Sequence, residues 1–175
     1  MIDTERLILR SWQDADRTPF AAMCADPEVM TWLGPLWTRA QTEEAIDRQM
    51  ALQEERGHCF WALEDRASGR FVGFCGLKIM PDGCGLDGEI EIGWRLACDA
   101  WGKGFAREAA QASLDWGFAT LGVSRIVAMT VRGNTRSWGL MERLQMTRRP
   151  DLDFDHPNVP DGDPLKPHIV YVVER

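Results

Sequence analysis

One segment, Glu89–Ala110, constrains the possible fold more than any other part of the chain; it reads EIEIGWRLACDAWGKGFAREAA. Its beginning, Glu89–Leu96, alternates between apolar and polar side chains, which is typical of a strand. A glycine-rich turn with Gly102 and Gly104 follows, and then a stripe of small and apolar residues predicts a helix. Ser124–Val131 is apolar on both faces, as expected of a strand inside a covered sheet. This order of elements predicts a mixed α/β fold.

The rest of the chain adds strands and helices on both sides of this unit. Arg6–Trp12 predicts a first strand, and residues 58–80 predict an antiparallel hairpin. A capping box in the sequence TRAQ begins a helix that ends at Gly57, and Asn134 caps another helix. A last strand closes the chain. Because the sequence shows neither a repeat nor a linker, we expect a single domain over residues 1–175.

Composition and charge limit the function classes. The formal charge is −7 at pH 7, whereas nucleic-acid binding needs clustered cationic side chains, so no nucleic-acid partner is expected. No apolar run is long enough to span a bilayer, and the N-terminus lacks an apolar leader, so we expect no membrane partner and a cytoplasmic location. The five cysteines have neither disulfide-framework nor zinc spacing, and no metal is expected. The negative charge favours a cationic substrate only weakly, because it also serves solubility.

The glycine-rich turn WGKG predicts an anion site. It does not match the nucleoside-triphosphate loop, because Gly104 follows Lys103 where Ser or Thr is required. It does not match the dinucleotide fingerprint either, because Arg107 stands where a third glycine is required. A strand that leads through such a turn into a helix leaves free N–H groups at the positive end of the helix dipole, where a pyrophosphate fits. The alternative is that the glycines only permit a tight turn.

Four segments together resemble the GNAT superfamily of N-acetyltransferases, in its ribosomal-protein N-acetyltransferase-like branch. DAWGKGFA resembles the pyrophosphate motif Q/R-x-x-G-x-G/A, with Asp99 in the place of Gln or Arg. TERLILR resembles the first strand of the branch and EIGWRL its fourth strand. NTRSWGLMERLQM resembles its N-x-x-S-x-x-x-M-E-K-x-G-M helix, with Gln145 where glycine is usual. The resemblance covers nearly the whole chain.

The resemblance implies a fold and a coenzyme. The fold is an α/β GNAT fold: a single mixed, mostly antiparallel sheet of about six to seven strands, splayed between the fourth and fifth strands and flanked by about four helices. The implied acetyl donor is acetyl-CoA, whose pantetheine pairs with the free edge of the fourth strand, where Gly93 permits a bulge. The implied coenzyme-binding residues are Trp94, Arg95, Leu96, Trp101, Gly102, Lys103, Gly104, Phe105, Ala106, Asn134 and Ser137.

Acetyl transfer to an amine requires a base for the amine proton, a donor to the oxyanion and an acid for the leaving thiolate. Glu91 is the predicted base, because it lies near the split of the sheet and points away from the neighbouring isoleucines. Glu89, one pleat away on the same face, is the second choice, and two close carboxylates would raise one another's pKa. Ser137, where the resemblance places a serine, is the predicted acid. The alternatives are a salt bridge or a solvated strand face for the carboxylates and a structural hydroxyl for Ser137.

The acceptor side carries fewer signals. In related enzymes the segment after the first strand covers the acceptor, which predicts Trp32, Leu33 and Trp37 as lining residues. His156, in the DFDHP segment, is predicted to form an acceptor-side wall together with the later His168, without a metal. The resulting hypothesis is an N-acetyltransferase, a monomer or a homodimer, that acts on a small-molecule amine or a protein N-terminus by direct attack in a ternary complex. The alternative is a non-catalytic module that binds acyl-CoA.

Overall fold

The computed structural model describes residues 1–80 and 82–175. Within those residues nine strands form one sheet, accompanied by five α-helices. The strands are β1 (Ile2–Asp3), β2 (Leu7–Arg10), β3 (Phe60–Asp65), β4 (Arg70–Ile79), β5 (Ile90–Leu96), β6 (Arg125–Val131), β7 (Thr147–Arg148), β8 (Phe154–Asp155) and β9 (Pro167–Glu174). The helices are α1 (Arg17–Cys24), α2 (Pro27–Met30), α3 (Arg39–Arg56), α4 (Phe105–Leu121) and α5 (Thr135–Arg143).

The sheet has the order β1-β2-β3-β4-β5-β6-β9-β7, and β8 also pairs with β9. Of the pairs in the described part of the chain, only β5 with β6 is parallel, so the predicted mixed, mostly antiparallel sheet is confirmed. The numbers of strands and helices are higher than predicted. The additional strands β1, β7 and β8 contain two residues each, which is too short for an alternation pattern, and α2 has four residues.

The two faces of the sheet have different cover. Cys75 Sγ of β4 lies 3.7 Å from Ser113 Oγ of α4, so the odd-numbered residues of this stretch of β4 face α4. The even-numbered residues face the other way, where the ring centroid of Phe74 lies 6.2 Å from that of Phe20 in α1. We call this second face the α1 face. It carries the candidate site.

Two hydrophobic clusters flank the sheet. The larger one joins the sheet to α4 and α1, and it includes Leu9, Phe20, Leu77, Ala109, Leu114 and Ile126. The smaller one lies beside β6 and β9, and it includes Met80, Val127, Val170 and Val172. None of the helices within residues 1–80 and 82–175 is long and apolar enough to cross a bilayer.

The helix ends follow the predicted signals. Thr38 Oγ1 accepts the Gln41 N–H at 3.3 Å and the Gln41 side chain accepts the Thr38 N–H at 2.8 Å, which confirms the capping box of α3. Gly57 ends that helix with a φ of 75°. Gln145, which follows α5 in a glycine position of the resembling helix, has a φ of 62°. This left-handed conformation is strained for a residue with a Cβ, so Gln145 pays the conformational cost that glycine avoids.

Candidate active site

β5 and β6 pair at a single position and then separate. Glu91 lies opposite Val127, and no further pair continues the ladder within the described residues. The strands therefore diverge toward their carboxyl ends, which confirms the predicted splay between the strands that the sequence numbered fourth and fifth. The gap leaves one edge of β5 without a neighbouring strand beyond Glu91.

Only alternate residues of β5 direct their main chain at this gap. The Ala97 N–H donates to Val72 O at 3.0 Å, so the main-chain groups of Ala97 and of Arg95 point to β4. Those of Trp94 and Leu96 point to the gap, where Leu96 O accepts the indole N–H of Trp101 at 2.9 Å. Trp94 therefore presents both main-chain groups to the gap and Leu96 its N–H. Arg95 is not positioned to bind a ligand in the gap through its main chain, contrary to the prediction, because the alternation assigns it to the other edge.

Gly93 does not form the predicted bulge. The register of β4 with β5 is unbroken from Gly73 opposite Leu96 to Ile79 opposite Ile90, so this prediction is wrong. The glycine serves a different purpose. A Cβ at residue 93 would lie 2.7 Å from Phe60 Cζ, so the missing side chain lets the Phe60 ring pack directly on the strand.

The glycine-rich turn leads into α4 as predicted. Gly102 and Gly104 have φ values of 72° and 80°, in the left-handed region that favours glycine. Apart from Gly102 and its chain neighbours, no atom of the described residues lies within 4 Å of the position that a Gly102 Cβ would take, so the turn presents open backbone. α4 begins at the buried Phe105, and the N–H groups of its first turn, including that of Ala106, have no intrahelical acceptor. Lys103 adds a positive charge at the positive end of the helix dipole.

Arg6, which the sequence analysis did not assign to the site, holds this turn in place. Its Nη1 donates to Lys103 O at 2.8 Å, and its Nε donates to Glu108 Oε2 at 2.7 Å. Glu108 also accepts the hydroxyl of Thr4 at 2.6 Å, and the Arg6 guanidinium lies 5.2 Å from the centroid of the Phe105 ring. The segment that leads into β2 thereby anchors the turn. Asp99, where the motif commonly has Gln or Arg, pairs with Arg70 at 2.8 Å instead.

The start of α5 lies against the same turn. Asn134 Oδ1 accepts the Ser137 N–H at 3.3 Å, which confirms the predicted cap. The Arg136 guanidinium stacks over Trp101 at 4.6 Å from the ring centroid. Ser137 is half-buried, and its hydroxyl makes no hydrogen bond within residues 1–80 and 82–175. Ser113 differs, because its hydroxyl donates to a carbonyl of its own helix at 2.8 Å. The Ser137 hydroxyl is therefore free to donate to a ligand.

Glu91 is buried on the α1 face at the point where β5 and β6 part. Its side chain is 8% exposed, and its Oε2 lies 3.2 Å from the Nζ of Lys78, the residue directly opposite on β4. The Lys78 ammonium forms an ion pair with Oε2, but the angles are not those of a hydrogen bond, so Oε2 has no hydrogen-bond partner among the described residues. Burial raises the pKa of Glu91, and Lys78 opposes that rise. A buried, ion-paired carboxylate with a raised pKa has the properties of a general base.

Glu89 has a different environment although it is only two residues away. Arg125 Nε donates to Glu89 Oε2 at 2.9 Å, and Arg125 Nη2 contacts the other oxygen. These hydrogen bonds hold the pKa of Glu89 below its ordinary value, against the effect of burial. The raised pKa of Glu91 thus comes from burial. The predicted mutual effect of two carboxylates is wrong, because Arg125 neutralises one of them.

Stacked side chains form a row on the α1 face from Glu91 to the other end of β5. The Lys78 Nζ lies 5.0 Å from the Phe60 centroid, and Phe60 stacks on Phe74 at 5.4 Å with 10° between the ring planes. The Arg95 guanidinium lies 5.5 Å from the Phe74 centroid and 4.7 Å from the Trp37 centroid. We call Lys78, Phe60, Phe74, Arg95 and Trp37 the aromatic row. Sequence patterns did not reveal it, because its members come from four separate segments.

The segment of residues 31–37 bridges the two sides of the splay. Trp37 packs on the side chain of Arg95 in β5, and the Trp32 ring packs at Gly133, which follows β6. The predicted Leu33 is 43% exposed and does not line the adjacent cleft. That cleft has a volume of about 590 Å³ and is lined by Thr31, Trp32, Val131, Arg132, Gly133, Asp163, Pro164, Leu165 and Pro167. It opens at the carboxyl end of β6, four residues beyond the partner of Glu91, or about 13 Å along the strand.

The two C-terminal histidines lie together beside the smaller hydrophobic cluster. The rings of His156 and His168 are 5.0 Å apart, and Phe154 stacks on His168 at 5.7 Å. Burial lowers the pKa of both histidines, and the charge of Lys78 contributes to the lower pKa of His156. His156 is thus within electrostatic reach of Lys78. Within the described ranges, no three His, Cys, Asp or Glu side chains are arranged to hold a metal ion.

Comparison with known proteins agrees with this geometry. A sequence model of the Acetyltransferase (GNAT) domain matches residues 6–147. The chain is similar to the uncharacterized protein YkkB of Bacillus subtilis (strain 168), with 35% identity over 144 residues, 82% of this chain and 83% of that protein. It is also similar to the uncharacterized N-acetyltransferase p20 of Bacillus licheniformis, with 31% identity over 147 residues, 83% and 81% of the two chains.

Solved structures show the same likeness. An acetyltransferase from Agrobacterium tumefaciens str. C58 has a TM-score of 0.79 at 28% identity, with 99% of this chain and 94% of that chain covered. Two further structures are similar in fold. They are the ribosomal-protein-S5-alanine acetyltransferase from Vibrio fischeri (TM-score 0.75, 16% identity, 98% and 94% covered) and the spermidine N-acetyltransferase from Vibrio cholerae in complex with CoA and spermine (TM-score 0.74, 17% identity, 98% and 96% covered).

Proposed function

The chain belongs to the GNAT acetyltransferase family, and from this premise we propose that it transfers the acetyl group of acetyl-CoA to a primary amine by direct attack in a ternary complex. The observation that carries the proposal is the Glu91 carboxylate, which is buried at the splay with one oxygen free of hydrogen bonds. This oxygen is paired with the Lys78 ammonium at 3.2 Å, and its remaining lone pair suits the N–H of an incoming amine. Three further expectations remain predictions: a single domain over residues 1–175, a monomeric or homodimeric state, and a cytoplasmic location.

The residues around the gap suit a coenzyme A molecule, which supplies an acetyl thioester when bound. The free main-chain groups of Trp94 and Leu96 would pair with its amides in the manner of an added strand. The turn of Gly102, Lys103 and Gly104, with the N–H groups of Phe105 and Ala106, would hold the pyrophosphate at the positive end of α4. Arg136 on Trp101, and Asn134, would line the same mouth. The spermidine N-acetyltransferase of similar fold, which is in complex with CoA, supports this assignment.

We propose that side chains of this protein carry out the proton transfers. Glu91 takes one proton from the acceptor ammonium, and the neutral amine forms a bond to the thioester carbon. The nitrogen then loses its second proton as the bond from carbon to sulfur breaks, and the leaving sulfur gains a proton, so that the products are the amide, the free thiol and the proton held by Glu91. The raised pKa of Glu91 suits this exchange with an amine. Lys78 keeps the carboxylate ionised between turnovers by opposing the effect of burial. The base assignment goes to Glu91 and not to Glu89, because Arg125 occupies both oxygens of Glu89.

Ser137 is the proposed donor to the leaving sulfur, because its hydroxyl is half-buried at the mouth of the gap and unused. A thiolate leaves readily, so its protonation contributes less than the removal of the amine proton. The variant Ser137→Ala is expected to reduce kcat by about tenfold, at or below the low end for acid–base groups, with unchanged affinity for acetyl-CoA. Thiol release measured in single turnovers tests this. Ser124→Ala, an exposed serine before β6, is the matched control, and equal rates for both variants would remove Ser137 from the mechanism.

The acceptor would enter from the α1 face. Trp37 and Trp32 stand on either side of the splay, and His156 stands near Lys78, so these three are the proposed walls of the acceptor site. Leu33, which points to solvent, is proposed only as part of the covering segment. The alternative of a non-catalytic acyl-CoA-binding module leaves the buried Glu91 carboxylate at the splay and the free Ser137 hydroxyl without a purpose.

Calorimetric titration with acetyl-CoA tests the proposal most directly, with ATP and NAD as control ligands. We expect a dissociation constant in the micromolar range for acetyl-CoA and no heat of binding for ATP or NAD. The titrated protein is then incubated with amines, and the released thiol is quantified. Folded protein that binds no acetyl-CoA would refute the proposed function, and binding without thiol release for any amine would favour the non-catalytic module.

A further inference from the structure

We propose that Arg95 is a specificity-determining residue that binds a carboxylate of the acceptor, so that the preferred acceptor is an amine that also carries a carboxylate several bonds away, such as an ω-amino acid. This inference rests on the proposed function and names its substrate class. The evidence for it is the environment of the Arg95 side chain, which differs from the environments of the other charged groups at the site.

Arg95 is a half-buried cation that has no anionic partner within residues 1–80 and 82–175. Its Nε is shut off from solvent and has no hydrogen-bond partner among the described residues. Its Nη1 donates to the Sγ of Cys24 at 3.2 Å, and no carboxylate within residues 1–80 and 82–175 pairs with it. Burial raises the pKa of the Cys24 thiol, so this neighbour stays neutral near pH 7. A guanidinium offers five N–H donors, and those of Nη2 together with the second N–H of Nη1 are left for a ligand.

The flanking rings hold the guanidinium in one plane. Trp37 lies at 4.7 Å and Phe74 at 5.5 Å from the guanidinium carbon, which is the stacked arrangement that cationic side chains adopt on aromatic faces. A carboxylate would therefore approach the edge of the guanidinium at Nη1 and Nη2, because the rings lie near the guanidinium carbon and Nε is closed off from solvent. A planar fork of this kind matches a carboxylate through two parallel hydrogen bonds. An unpaired buried charge is otherwise costly to keep.

Arg95 lies on the same face of β5 as Glu91. Arg95 is opposite Phe74 and Glu91 is opposite Lys78, and both pairs point to the α1 face. The two side chains start about 13 Å apart along the strand, and the rings of the aromatic row lie between them. An acceptor with its amine at Glu91 and its carboxylate at Arg95 would lie on those rings. Because the main chain of Arg95 points to β4, coenzyme binding does not require this side chain.

The charges near this face favour such an acceptor over a polyamine. Glu91 and Lys78 neutralise one another, and burial lowers the pKa of His156 and His168, which leaves them neutral near pH 7. In the cleft beyond, Arg132 and Asp163 bring opposite charges. Arg95 therefore leaves one positive charge uncompensated, although the whole chain has a charge of −7. A carboxylate would neutralise it, whereas a second ammonium group on the acceptor would be repelled.

The test compares acceptors that differ only in the carboxylate. The panel contains proteinogenic and ω-amino acids, each with its carboxamide, and spermidine; thiol release gives kcat/KM for each with saturating acetyl-CoA. We expect the best amino acid to exceed its carboxamide by about tenfold to a hundredfold, the range for a charge-assisted hydrogen bond to a buried partner. In Arg95→Met this ratio should fall close to one through a higher KM for the acid. Arg95→Lys should retain part of the preference, because it keeps the charge but loses the fork.

Two controls separate this inference from the proposed function. Arg48→Met, on the exposed surface of α3, should leave the ratio unchanged. Calorimetry should give Arg95→Met the same affinity for acetyl-CoA as the wild type, which also shows that the variant is folded. A wild-type ratio near one, a ratio that survives Arg95→Met, or acetylation restricted to amines without a carboxylate overturns the inference and leaves the proposed function standing. Wild-type protein that binds no acetyl-CoA overturns both.

Discussion

Replacing Glu91 by glutamine is expected to lower kcat by a factor of about 10² to 10⁴, the usual contribution of a general base. Glutamine has nearly the same size, so the strand, the aromatic row and the gap should keep their shape, and the affinity for acetyl-CoA should stay unchanged. The loss would be chemical, because an amide cannot accept the amine proton. Steady-state kinetics with saturating acetyl-CoA, together with calorimetry, measures both quantities.

The pH profile makes this prediction specific to Glu91. Burial raises the pKa of Glu91 above its ordinary value, so the acidic limb of kcat/KM in the wild type should lie above the ordinary range of a carboxyl group. The limb should vanish in Glu91→Gln, since no titrating base remains. Glu89→Gln is the matched comparison, because the pKa of Glu89 is held low by Arg125 and should not govern that limb. An unchanged profile in Glu91→Gln, or a limb that vanishes only in Glu89→Gln, would reject the assignment.

Loss of stability cannot account for the expected result. The folded protein binds the Glu91 proton more tightly than the unfolded chain does, because the pKa is raised on folding. The stabilisation from this group is therefore fully present below the unfolded pKa and is lost as the pH rises through the folded pKa. At any pH above the unfolded pKa this group is therefore a cost to the fold, so Glu91→Gln should not lower the free energy of unfolding by more than about 1 kcal/mol. Urea denaturation checks this.

Replacing Gly102 by valine is expected to weaken acetyl-CoA binding by about tenfold to a hundredfold, equivalent to the loss of one charge-assisted hydrogen bond. Gly102 has a φ of 72°, and the space around the position of its Cβ is open. A branched side chain there would fill the space where the pyrophosphate is proposed to bind. It would also strain the turn, because a left-handed conformation costs roughly 1–2 kcal/mol for a residue with a Cβ. Calorimetric titration measures the affinity.

Gly122→Val separates these two effects. Gly122 ends α4, the helix that the glycine-rich turn begins, with a φ of 65° and with equally open space at its Cβ position. The control therefore carries the same backbone strain at the far end of the same helix. Both variants should lose similar stability in urea, but only Gly102→Val should lose affinity. Equal acetyl-CoA affinities for the two variants would mean that the turn does not hold the coenzyme.

Local patterns were sufficient for the elements around the site. The alternation in Glu89–Leu96 predicted the strand, and the two glycines predicted a turn of left-handed residues at the start of α4. The capping signals at Thr38 and Asn134 were confirmed, because a cap depends on residues three positions apart. The prediction of a bulge at Gly93 was wrong because the role of a strand glycine depends on residues that are distant in sequence. A glycine in a strand also accommodates a close neighbour, and here the neighbour is Phe60, 33 residues earlier in the sequence.

The sequence by itself therefore determined the fold class, the glycine-rich turn and the pair of carboxylates from which the base is chosen. Only the tertiary structure distinguished Glu91, buried beside Lys78, from Glu89, held by Arg125 from another strand. It likewise directed the main chain of Arg95 to β4 and its side chain between two rings. The physical reason is that helix caps and strand alternation depend on neighbours in sequence, whereas burial, charge and stacking depend on partners that only the folded sheet brings together.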